Sequence, residues 1–163
     1  GNLGGLWMVL IGWFLHTASV QGYSQVLLKS ALQEFKAADL MDKNFITVSP
    51  DLTVESLVQD YILKKRERVF LVTDSDVFLG LVCLEDVKKF PRSRWPELKV
   101  KDIMTPVEKI VSASPEATGD EVLNNLVNNE VNQVPVLDNG RVVGIITRTD
   151  LLRLLQLRTD LGI

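Results

Sequence analysis

Gly144-Ile145-Ile146-Thr147-Arg148-Thr149-Asp150-Leu151 places a hydroxyl, a guanidinium and a carboxylate within four residues of one another. If a helix starts there, its first backbone N–H groups are free and its dipole favours negative charge. Thr147 can then donate a hydroxyl hydrogen to an anion, and Arg148 can fork onto the anion's oxygens. The same spacing also serves structure alone, because Thr147 and Asp150 have the T-x-x-D pattern of a capping box, which needs no ligand. Sixty-four positions earlier stands Gly80-Leu81-Val82-Cys83-Leu84-Glu85-Asp86-Val87. There Cys83 replaces the threonine, and a thiol is a poor donor to phosphate. Leu84 replaces the arginine, Asp86 is kept, and Glu85 beside it repels anions. At most one well-formed site is therefore expected, centred on the second copy.

Other chemistry is sparse. His16 is the only histidine and Cys83 the only cysteine of the 163 residues. An H-E-x-x-H zinc site needs two histidines on one helical face, and no paired acid and base or Ser-His-Asp set is visible, so neither a catalytic nor a metal site is expected in this chain. A lone cysteine excludes an internal disulfide and fits a reducing compartment. Cys83 reads as a small buried filler, with a redox switch as the alternative. Lys64, Lys65, Arg66 and Arg68 sit at a helix end, where they complement the dipole; a phosphate or membrane-surface role is the second reading. The net charge of −3, with both signs interspersed, argues against a nucleic-acid partner.

These residues must be positioned by a duplicated unit. Asp39-Leu40-Met41 returns as Asp102-Ile103-Met104, Val48-Ser49-Pro50 as Ser112-Ala113-Ser114-Pro115, and Val69-Phe70-Leu71-Val72 as Val134-Pro135-Val136-Leu137. Two copies argue for two units packed face to face about a pseudo-twofold axis, since a solenoid needs at least three. The first unit reads as a strand at Ile46 to Val48, a helix from Val54 to Lys65 capped by Thr53, strands at Val69 to Thr73 and Phe78 to Cys83 joined by a turn at Asp74-Ser75-Asp76, and a helix from Glu85 to Phe90. The second repeats this order with a strand at Ile110-Val111, a helix from Gly119 to Asn129, and strands at Val134 to Leu137 and Val142 to Thr147. Asn139-Gly140 marks the hairpin between those strands. The last helix, from Thr149 to Leu157, packs through Leu151, Leu152, Leu154 and Leu155. Pro91 and Pro96 punctuate a linker in which Trp95 covers either the seam between units or a dimer contact.

The stretch from Leu3 to about Val20 is mostly apolar, and Lys29 is the first charged residue. Eighteen helical residues span about 27 Å, close to a bilayer core, and the run reads as a transmembrane helix. A signal peptide or a buried core helix are the alternatives. The absence of an initiator Met suggests processing or a fragment, and a fragment is the reading favoured here. Tyr23 to Ala38 reads as an amphipathic helix whose apolar face, with Leu32 and Phe35, rests on the second repeat or on a partner chain. Lys29 and Lys36 just beyond the apolar run favour placing this side in the cytoplasm. The organisation is thus a membrane helix at 1–22, a connector helix at 23–38, units at 39–90 and 100–157, a linker at 91–99 and a tail at 158–163.

Val100-Lys101-Asp102-Ile103-Met104-Thr105-Pro106, Val134-Pro135-Val136-Leu137-Asp138 and Gly144 to Asp150 together resemble the CBS domain family, named for cystathionine β-synthase, whose units pair into a Bateman module. The resemblance covers about Asp39 to Leu157. It implies an α/β (α+β) fold of two β-α-β-β-α units behind a hydrophobic N-terminal helix. It further implies an adenine nucleotide (ATP, ADP or AMP) as regulatory ligand, with Thr147 and Arg148 on phosphate and Asp150 accepting from the ribose diol. Val134 and Pro135 would wall the adenine, Asp86 would keep a ribose contact in the first unit, and the pairs would form a homodimer. Gly4 to Leu15 followed by a helix into such a pair is similar to the last membrane helix of site-2-protease-like intramembrane zinc metalloproteases. That likeness implies a regulatory tail whose zinc and active site lie upstream. A ligand-free dimerisation module of the same membrane protein is the alternative.

Overall fold

The computed structural model describes residues 29–163. The apolar run from Leu3 to Val20 and the connector before Lys29 lie outside the described residues. Among the described residues no helix is long and apolar enough to cross a membrane.

In chain order the elements are α1 (29–33), α2 (Ala37–Leu40), β1 (Thr47–Val48), and α3 (Val54–Ser56), which continues as a π-helix over Leu57–Leu63. Then come β2 (Val69–Asp74), β3 (Val77–Cys83), α4 (Leu84–Lys88), α5 (Val100–Ile103), β4 (Thr105–Pro106), α6 (Gly119–Asn128), β5 (Gln133–Asp138), β6 (Arg141–Thr147) and α7 (Arg148–Leu161). One sheet has the order β1-β2-β3-β4, with β1 parallel to β2 and the other pairs antiparallel, and the second is the β5-β6 hairpin. Thr53 caps α3 by accepting from the Ser56 N–H at 3.2 Å. The two hairpins turn through left-handed residues, Ser75 and Asp76 in one and Asn139 and Gly140 in the other, as type I′ turns require.

Three apolar clusters follow from strand alternation. On β2, Phe70 and Val72 enter the first core while Leu71 points to the opposite face. On β6, Ile146 enters the second core while Ile145 joins Leu71, Phe78 and Leu81 in the seam between the sheets. Strands buried on both faces read as unbroken apolar runs, which is why Val69 to Val72 and Val142 to Ile146 show little alternation.

Each core is closed by the segment that leads into the other unit. Val100 and Ile103 of α5 lie in the first core, and Leu32 and Ala37 lie in the second. The backbone repeats the exchange. Leu81 pairs with Thr105 in β4, and its counterpart Ile145 bridges to Asp42. Thr53 bridges to Lys99, and Thr118 bridges to Lys36. The recurring glycines are explained here: a Cβ on Gly144 would lie 2.5 Å from the Met41 Sδ, and one on Gly80 would run into the Thr105 carbonyl oxygen. Both crossings need a residue without a side chain.

Four expectations are corrected. The connector helix does not reach Ala38, because Gly119 donates to the Phe35 carbonyl at 2.8 Å and Ala37 donates to Ala117 at 2.7 Å, drawing residues 35–36 out of the helix. Ile110-Val111 forms no strand. The chain leaves β4 through a 3-10 turn at Val107–Lys109, Ile110 turns into the seam, and only Ala113 pairs, in parallel, with Val136. Leu152 is exposed on α7, whereas Leu151 is buried. Trp95 does not cover the seam; it packs on the first core and donates from Nε1 to the Phe90 carbonyl at 3.2 Å.

Candidate functional site

The corner from β6 into α7 is built by a closed capping box. The Asp150 N–H donates to the Thr147 Oγ1 at 3.1 Å, and the Thr147 N–H and hydroxyl both donate to the Asp150 Oδ2, at 3.1 and 2.6 Å. The helix start is thus satisfied internally, as the ligand-free reading of T-x-x-D expects. The other carboxylate oxygen of Asp150, Oδ1, has no partner among the described residues. Asp150 lines a cleft of about 350 Å³ between the two units.

That cleft is made by three segments. Thr147, Asp150 and Ile145 come from the second unit, Asp42 to Ile46 supply the lead-in loop with the Phe45 ring, and Arg66 to Val69 come from the approach to β2. Its floor is apolar, formed by Ile145, Leu71 and Val69, and its rim carries charges of both signs. A flat heteroaromatic ring suits such a floor, and hydroxyls and an anion suit such a rim.

The pseudo-symmetric corner at Cys83 is closed differently. The Cys83 N–H and thiol both point to the Asp86 Oδ2, at 3.0 and 3.2 Å, and the Lys89 Nζ takes the remaining oxygen, Oδ1, at 2.9 Å. Asp86 is only 6% exposed. Both of its oxygens already accept, so a ribose would have to share Oδ1 with the Lys89 ammonium. The rim differs as well. Residues 66 and 130 are equivalent, both in the left-handed region at the end of a helix, and one is arginine where the other is glutamate. Arg66 makes no ion pair among the described residues. Arg68, the partner of Asn132 in the repeat, is held by Glu85 at 3.1 Å and stands between the cleft and a second hollow of about 410 Å³, which reaches Cys83 and Thr149 on the axis.

The residues singled out from sequence are therefore dispersed. Thr147 and Asp150 meet at the cleft. Arg148 does not line it; its guanidinium turns back to the Leu126 carbonyl at 3.3 Å and helps to seat α7 on α6. Val134 is fully buried in the second core and Pro135 is buried beside it, so neither walls the cleft. Asp42, Phe45 and Arg66 were not singled out as site residues. The first two lie in a loop with no motif, and Arg66 was seen only as part of a basic cluster suited to a helix dipole. In that cluster Lys64 does pair with Asp60 at 2.7 Å and Lys65 sits over the Tyr61 ring.

Burial pushes the Cys83 thiol up from its ordinary range, and the adjacent Asp86 carboxylate adds to the shift. The thiol therefore stays protonated at neutral pH and gains reactivity only in alkaline solution. Its alkylation by iodoacetamide at pH 7.5 is expected to be at least about tenfold slower than that of free cysteine. Equal rates in a side-by-side mass-spectrometric time course would contradict this. Among the described residues no group of three or more His, Cys, Asp or Glu could hold a metal ion.

A model of the CBS domain matches residues 37–93 and 100–157. Zinc metalloprotease MJ0392 of Methanocaldococcus jannaschii is 27% identical over 157 residues, which take in 94% of this chain and 43% of that protein. The CBS domain pair of protein MJ0100, solved in complex with 5′-methylthioadenosine and S-adenosyl-L-methionine, aligns with a TM-score of 0.66 at 22% identity over 76% of this chain and 98% of that one. CBSX2, solved in complex with AMP, aligns with a TM-score of 0.64 at 21% identity over the same shares. These two likenesses establish the fold. The chain spans about two fifths of the length of the curated relatives that it matches along nearly all its residues.

Proposed function

The chain belongs to the CBS domain family, and from that premise we propose that it binds an adenine nucleotide in the cleft at Thr147 and Asp150 and so regulates an attached membrane-embedded zinc metalloprotease. The observation that carries this reading is the asymmetry of the two corners. Among the described residues, Asp150 keeps an oxygen free and Arg66 makes no ion pair at one corner; at the other, Lys89 occupies Asp86 and Glu130 stands in place of Arg66. In this reading the ribose diol donates to the free Asp150 oxygen, the adenine lies on Ile145, Val69 and Phe45, and the phosphates run toward Arg66 and Arg68. The adenosine ligands of the MJ0100 and CBSX2 structures support the ligand class. The likeness to MJ0392 supports the attached protease, whose zinc site lies outside the residues described here. Lys29 and Lys36, next to the apolar run, support a cytoplasmic side.

Titration of the purified 163-residue chain with ATP, ADP and AMP tests the proposal. At a hundredfold excess over Kd, one of them is expected to stabilise the fold by about 2.7 kcal/mol, read as a thermal shift with matching heat in calorimetry. No shift and no heat at millimolar concentration for any of the three would overturn it. A second reading, a ligand-free dimerisation module, is favoured by Leu152, Leu157, Leu161 and Ile163, which are 54–75% exposed on and just beyond α7. It requires a dimer whose stability ignores both nucleotide and Asp150→Ala.

A further inference from the structure

Helix α7 joins two places that are otherwise unconnected. Its first turn carries the Thr147–Asp150 box at the cleft, and two turns further on Arg158 reaches across to α1. The Arg158 Nη1 donates to the Ala31 carbonyl at 2.9 Å, the guanidinium sits 5.7 Å from the centre of the Phe35 ring, and Glu34 lies 3.9 Å away. Ala31 is in the last turn of α1, where carbonyls have no helical partner, so the guanidinium caps that helix. Its side chain is only 22% exposed. Lysine could not reproduce this clasp, since it lacks the planar fork that stacks and donates together.

The burial of α7 fades along its length. Leu151 is buried, and Leu154 and Leu155 rest on the second core, while Leu157 and Leu161 beyond them face outward. Asp150 and Arg158 are about 12 Å apart along the helix axis. Beside the clasp lies a hollow of about 500 Å³, bounded by Ala31, Leu155 and Ile163.

From this geometry we infer that α7 carries a change at the cleft to the N-terminal connector, and that Arg158 is the residue that hands it to α1. The inference rests on the adenine-nucleotide reading for its natural trigger. A ribose donating to the free Oδ1 draws on the same carboxylate whose Oδ2 holds Thr147, reseats the first turn of α7, and shifts its far end. Coupling of this kind requires that ligand and clasp favour different arrangements of the same element. The direction of travel is toward Lys29 and the segment before it, where an attached domain would receive it.

Hydrogen exchange measured by mass spectrometry on the 163-residue chain tests the inference. With ATP or AMP at saturation, exchange of amides in 29–36 is expected to change at least threefold. In Arg158→Ala that change disappears, although calorimetry on the same sample still registers binding. A ligand-independent arm removes the cap instead. Groups this far apart normally act additively, but Thr147→Val is expected to alter exchange in 29–36 at least threefold when Arg158 is present and not when it is alanine. Arg158→Lys, which keeps the charge and guards against a folding defect, should behave like the alanine variant. A response in 29–36 that is the same with and without Arg158, or additivity of the two substitutions, would overturn the inference. Absence of nucleotide binding would remove the trigger, and the substitution cycle alone would then decide the lever.

Discussion

Leu32→Ala is expected to destabilise the chain by roughly 2–5 kcal/mol, lowering its melting temperature by on the order of 10 °C. The residue precedes both repeats, and a reading of the repeats by themselves would treat it as connector. Yet it is fully buried among Val122, Leu126, Val134 and Ile146, and its carbonyl lies against Gly119. Truncation leaves a cavity in the second core where α1, α6 and β6 meet. Chemical denaturation of both proteins checks this. A shift in midpoint corresponding to less than about 1 kcal/mol would show that α1 rests on the module without completing it.

Asp150→Asn is expected to weaken nucleotide binding tenfold to a hundredfold, the equivalent of about 1.4–2.8 kcal/mol, in line with hydrogen bonds made to a charged acceptor. Asparagine keeps the size and can still accept from Thr147, so the helix start survives and the loss falls on the ligand. Asp150→Ala adds the loss of the cap itself, about 1 kcal/mol of stability. Lys89→Ala at the mirror corner should leave affinity within a factor of two, since that corner is not the site. Isothermal titration of the variants against whichever nucleotide binds the native chain separates these effects. Undiminished affinity in Asp150→Asn would move the ligand elsewhere.

The unit architecture was legible because its signals are local. β-Branched runs made β2, β3, β5 and β6, Asn139-Gly140 made a hairpin, and Thr147 with Asp150 announced a helix start. What lay hidden depends on contacts distant in sequence. Nothing near Phe35 says that a helix must stop there; the reason is a hydrogen bond from Gly119. Ile110-Val111 has strand composition, but the seam claims Ile110 before it can pair. At the candidate site, spacing identified the two residues that bond to each other, Thr147 and Asp150. It could not give the rotamer that sends Arg148 to Leu126, nor the fold that brings Arg66 to the same cleft. The exchange of lead-in segments between the units was likewise invisible, although Asp39-Leu40-Met41 and Asp102-Ile103-Met104 had already been matched as repeats.

Asp42 and Ile145 exchange both backbone hydrogen bonds, at 2.8 and 3.0 Å, across roughly a hundred residues of chain. A ribosome adding 5–20 residues per second needs on the order of ten seconds to make the second after the first. Throughout that interval Leu32, Ala37 and Met41 are already outside, with no strand to cover them. The first unit can close once Pro106 has emerged, whereas the second assembles late, onto a segment that has been waiting since the start. A nascent chain stalled between those two moments would therefore expose an apolar edge, and it is in that window that holding chaperones or proteases would find it.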